Sequence, residues 1–87
     1  MRVRFNRWVC ETRYGWYDNG RTAIRLIDVT DNGPVATVTI NVPEEPLEDD
    51  CIIIKDYSEN IGMQLALIEA GVVEPDIRVI FVSDIQA

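Results

Sequence analysis

The sequence predicts an α+β domain: a mainly antiparallel β-sheet with one helix packed on one face, in the order β-β-β-β-α-β. Three observations carry this. The first half alternates apolar and polar residues with a period of two. Turn signals punctuate it at Asp18-Asn19-Gly20 and Asp31-Asn32-Gly33-Pro34, where Asn and Gly tolerate positive φ and Pro cannot donate to a ladder. After Asp56-Tyr57 the apolar period changes to about 3.6.

The first strand is expected over Val3 to Tyr14, with Val3, Phe5 and Val9 on one face and Trp8, Cys10 and Thr12 on the other, and Gly15 interrupts it. The second runs from Thr22 to Val29, with Ile24 and Leu26 opposed to Ala23, Ile27 and Val29, and forms a hairpin with the first. Strand three has the cleanest alternation. Ala36, Val38, Ile40 and Val42 point one way and Val35, Thr37, Thr39 and Asn41 the other, as in a sheet with one buried and one wet face.

Pro43 to Asp50 reads as an acidic loop, and Cys51 to Lys55 as a short, interior fourth strand. In the helix, Met63, Ala66, Leu67 and Ala70 follow i, i+3, i+4, i+7, and Ile61, Leu65 and Ile68 widen the stripe. Ser58 is the expected N-cap, Gly71 the left-handed C′ residue, and Glu59 favours the helix dipole. Pro75 bars continuation, and Ile77 to Val82 reads as a final strand with Arg78 its only charge.

Eighty-seven residues fit one domain, 1–87, with a small core. Apolar content of 47% with 26% charged residues is that of a globular chain rather than a disordered one. The absence of histidine excludes His-based acid–base chemistry and His-containing zinc sites. Cys10 and Cys51 are too few and too far apart for a disulfide framework, and buried, reduced thiols are expected. Met1 to Trp8 is basic but no apolar h-region follows, and no apolar run is long enough to span a bilayer, so a cytoplasmic, non-membrane protein is expected.

Charge is divided along the chain. Six of the 8 basic residues fall in the first 25 positions, and 13 of the 15 acidic residues come later. The net charge of −7 disfavours direct binding of nucleic acid through Arg2, Arg4, Arg7 and Arg13, and suits a partner with a basic surface. Glu44, Glu45, Glu48, Asp49 and Asp50, with Asp56 and Glu59 shortly after, are the main candidate site. An array of carboxylates can imitate a nucleic-acid backbone, which in duplex DNA carries one charge per roughly 1.7 Å of axis. A solvated loop that resists aggregation is the plainer account. EF-hand spacing is absent, so no metal and no cofactor are expected.

Trp16 and Tyr17, beside the hairpin turn, are candidate interface anchors, and hairpin packing is the alternative. No catalytic constellation is present, and so small a domain has little interior for a catalytic pocket, so no enzyme activity is expected.

The run Lys55-Asp56-Tyr57-Ser58-Glu59-Asn60 followed by Gly62-Met63 resembles a group of small uncharacterised proteins encoded mainly by phages, plasmids and other mobile elements of bacteria. Members typically show Lys-(Asp/Asn)-Tyr-Ser-Glu-Asn-Glu-Gly-Met leading into a helix. The chain is also similar to them at Asn19 to Ala23 and at Gly71 to Pro75. Ile61 stands where these proteins usually carry an acid, which removes a Ser-x-x-Glu capping box and leaves an apolar group to pack on the sheet or face a partner.

The resemblance implies an accessory factor, a group in which inhibitors of host defence are common. The expected function is binding and inhibition of a bacterial defence effector, for example a CRISPR complex, without enzyme activity. The alternative is a homo-oligomeric assembly module, such as a homodimer pairing the apolar edge Ile77 to Phe81.

Overall fold

A computed structural model of the chain describes residues 1–75. Four strands, β1 (Arg2–Phe5), β2 (Trp8–Trp16), β3 (Thr22–Asp28) and β4 (Pro34–Thr37), form an antiparallel meander in the order β1-β2-β3-β4. A 3-10 turn, Ser58–Asn60, then leads into α1 (Met63–Glu69), which lies against β1. The α+β class and the antiparallel sheet are as expected. The strands themselves are drawn differently.

The expected first strand is two strands. Val3 pairs with Cys10 and Phe5 with Trp8 across a two-residue turn in which Asn6 takes φ 54°. Asn accepts this left-handed conformation, as tight hairpin turns require. Partner positions across this turn have opposite parity, so Val3, Phe5, Cys10 and Thr12 share one buried face. Gly15 does not interrupt β2; it pairs with Ala23 in the β2–β3 ladder.

Strand three is shorter than its alternation suggests. Val38 and Thr39, neighbours in sequence, are both buried. The Val38 N–H donates to the Ile24 carbonyl at 2.8 Å, while the Ile24 N–H turns to the Thr39 hydroxyl at 3.1 Å. A side-chain oxygen thus replaces a backbone carbonyl, and the regular ladder stops at Thr37. Beyond it, Cys51 to Lys55 is not a full strand. It meets the chain through one bridge, Thr39 to Ile54, with Lys55 N–H on the Val38 carbonyl at 2.8 Å. Cys51 is exposed rather than interior, and only Cys10 is buried.

The core lies between the sheet and α1. Val3, Phe5, Cys10, Ile24, Leu26 and Val38 meet Met63, Ala66 and Leu67. Ile61 and Leu65 do not widen the buried stripe; they are 69% and 60% exposed.

The N-terminal end of α1 also differs from expectation. Ser58 has φ 54° and makes no capping bond. Gly62, at φ 96°, is the N-cap residue, and the Asp56 carboxylate accepts from the N–H groups of Gly62 (3.1 Å) and Gln64 (2.7 Å). Asp56 therefore satisfies two of the donors that a helix start leaves open. At the other end Gly71 is left-handed as expected, with its N–H on Ile68 and that of Val72 on Leu67, a Schellman closure. The expected strand Ile77 to Val82 lies outside the described residues.

Candidate functional site

The acidic loop is placed by residues remote from it in sequence. The β2–β3 turn closes through Tyr17 N–H on the Arg21 carbonyl at 2.8 Å, with Gly20 at φ 85°. From this turn the Arg21 guanidinium reaches across and donates to the carbonyls of Val42 (2.7 Å) and Glu45 (2.6 Å). Asn19 adds a side-chain bond to Asn41 at 3.1 Å. A charged donor with fixed fork geometry suits two backbone acceptors better than a lysine would. Local turns continue the ordering: Glu45 N–H meets the Val42 carbonyl at 3.0 Å, and Cys51 N–H meets that of Glu48 at 3.0 Å.

Glu44, Glu48, Asp49 and Asp50 are exposed, and Glu45 is half-buried. Among the described residues none of the five is in a salt bridge. The turn gathers Glu48, Asp50 and Cys51 so that their ligand atoms lie within 4.8 Å of one another, and the Cys51 thiol donates to Asp50 at 3.6 Å. All three are exposed, and exposed acidic groups gather in this way without an ion.

Asp56 and Glu59 sit apart from this loop in role. Asp56 is spent on capping α1. Glu59 accepts from the Lys55 ammonium at 2.6 Å, and that hydrogen bond holds its carboxyl below the usual range while raising the lysine.

The two aromatic candidates also separate. The Tyr17 hydroxyl bonds the Thr39 carbonyl (3.2 Å) and hydroxyl (3.0 Å), fixing the β2–β3 turn to the segment after β4. Trp16 is 80% exposed, on the same face of β2 as Tyr14, which is 58% exposed. Both lie on the sheet's core side, toward the hairpin end. A large exposed aromatic next to the base of the acidic loop has the character of an interface anchor.

Arg21 was the residue that sequence reasoning passed over, since it read as one of six N-terminal cations. Its position directly after Asn-Gly, where a side chain can project past a turn, was the available signal.

The charge division of the sequence survives in the fold. Arg2, Arg4, Arg13 and Arg25 all lie on the sheet face away from the core, as the register and their exposure show. The one acid among the described strand residues of that face, Glu11, binds the Met1 ammonium and Arg2, each at 3.0 Å, and its carboxyl is held below the usual range by these bonds, chiefly the first. Arg7 belongs to the β1–β2 turn, 5.2 Å from the ring centre of Trp8.

No helix among the described residues is long and apolar enough to cross a membrane. Comparison of the chain with protein-family models, curated proteins and solved structures finds no match.

Proposed function

We propose that the protein is a non-enzymatic accessory factor of a bacterial mobile element that binds and inhibits a host defence effector, for example a CRISPR complex. The loop Glu44 to Asp50 enters a basic groove of the effector built for nucleic acid. One observation carries this reading: the carboxylates stand on a loop pinned at its base by Arg21, with no ion-pair partner of their own among the described residues. A pinned array loses less conformational entropy on binding than a free tail. Trp16, close in sequence to the clamp, supplies an apolar contact at the rim. The resemblance to mobile-element proteins supports the choice of partner.

The test is a panel of bacterial strains, each carrying one defence effector, challenged with phage in the presence of the protein. A variant combining Glu48→Lys, Asp49→Lys and Asp50→Lys should lose protection of the phage while keeping the parent circular dichroism spectrum. Inhibition that survives this reversal would sink the mimicry. Loss on Trp16→Ala with the reversal tolerated would indicate an ordinary apolar interface instead.

A further inference from the structure

We propose that the solvent face of the sheet is a second binding surface, one that takes the phosphodiester backbone of a nucleic acid. It uses residues other than those of the acidic loop, and the two readings stand or fall separately.

The central feature is the register. Arg13 of β2 is directly opposite Arg25 of β3, and both are exposed. Opposed residues in a sheet hold their Cβ atoms roughly 4.5–5.5 Å apart, and like charges so placed destabilise it. Neither guanidinium has a carboxylate within ion-pair distance among the described residues. Two planar forks converging from adjacent strands suit one tetrahedral anion, which would convert their repulsion into shared hydrogen bonds. Thr37, exposed and opposite Arg25, extends the row with a hydroxyl.

Arg4 supplies a second contact. It is paired with Val9, four residues along β2 from Arg13, or roughly 13 Å at about 3.3 Å per residue. Arg2 is already engaged by Glu11. The aromatic residues of β2, Trp8, Tyr14 and Trp16, are on the other face. Among the described residues this face offers no ring for base stacking, so the contact is with phosphates and carries little sequence preference.

Net charge alone argued against such binding, and the fold changes that argument. The acidic loop is anchored at the β2–β3 turn, beyond Trp16. Val9, opposite Arg4, is seven residues back along β2, roughly 23 Å. At physiological salt the Debye length is about 8 Å, so the loop's repulsion is largely screened at Arg4 and weakened at Arg13, three residues or roughly 10 Å from Trp16.

The experiment is fluorescence anisotropy of the full chain with a labelled single-stranded RNA and with a duplex DNA of equal length. With two phosphates neutralised, one by the Arg13–Arg25 pair and one by Arg4, affinity for the single strand should fall roughly 7-fold between about 50 and 200 mM salt, a log–log slope near −1.4. Arg13→Ser combined with Arg25→Ser should reduce that slope to about −0.7. The double variant should unfold at the same urea concentration as the parent or a higher one, because it relieves a like-charge pair, so weakened binding is not a folding failure. No binding at the lowest salt would overturn the proposal, as would binding that the double variant leaves unchanged. Polyglutamate bound as tightly as RNA would also overturn it and point to an acidic protein as the occupant.

Discussion

Replacing Arg21 with glutamine should release the acidic loop from the hairpin and destabilise the domain by about 3 kcal/mol. The figure comes from its two bonds, to Val42 at 2.7 Å and Glu45 at 2.6 Å, both partly buried. Hydrogen bonds from a charged donor contribute about 1.5–3 kcal/mol each. The lower end applies because water can reach the carbonyls once the clamp opens. For 87 residues, total stability is on the order of 4–13 kcal/mol, so the loss is a large share of it. Arg21→Lys keeps the charge but cannot fork, and should recover about half of the loss.

Urea unfolding followed by tryptophan fluorescence measures the stability change. Cleavage by a glutamate-specific protease under native conditions reports on loop order, since the bonds after Glu44 and Glu48 are its targets. Arg21→Gln should accelerate that cleavage well before global unfolding. A variant within about 0.5 kcal/mol of the parent, the range of an ordinary surface substitution, with unchanged cleavage would refute the clamp.

Other consequences can be checked with the same material. Thr39→Val should cost about 1–3 kcal/mol by urea unfolding, because the Ile24 N–H loses its buried acceptor; Tyr17→Phe, which leaves that bond intact, should cost less. Glu11 and Glu59 both have carboxyls held low in the folded state, so the stability they contribute is present above the ordinary glutamate value of 4.5 and is lost as pH falls through their folded values. Carboxyl NMR titration should find both below the ordinary glutamate value of 4.5, and added salt should bring them back toward it. A thiol reagent at neutral pH should modify Cys51 promptly and Cys10 only on unfolding, because Cys10 is buried and its thiol is raised by burial and then by Asp28.

Much of the architecture was legible in local patterns. The turns at Asn19-Gly20 and Asn32-Gly33, the helix face Met63/Ala66/Leu67 and the Gly71 closure each depend on residues close in sequence, and all appear as expected. The first hairpin was legible too, but misread. Apolar residues switch from odd to even positions between Phe5 and Trp8, and one long strand with two apolar faces accounts for that as well as two strands with a tight turn do. Asn6-Arg7 is a weaker turn signal than Asn-Gly, so the pattern did not decide. Only the pairing of Val3 with Cys10 does.

The sequence by itself determined the α+β class, the turns at Asn19-Gly20 and Asn32-Gly33, the helix face and the division of charge between the two ends of the chain. These follow from periodicity, turn chemistry and composition, which are local or additive properties. The tertiary structure decided how that charge is used. Asp56 became a helix cap and Glu59 an ion-pair partner, while Arg21 left the basic stretch to hold the acidic loop. Arg13 and Arg25, twelve residues apart, became direct neighbours on an open sheet face. The last two assignments, of Arg21 and of the Arg13–Arg25 pair, depend on which side chain a neighbouring strand or loop brings within about 3–5 Å, the range of a hydrogen bond or a cross-strand pair. Pairing and register set that distance, and no local property of the chain contains it.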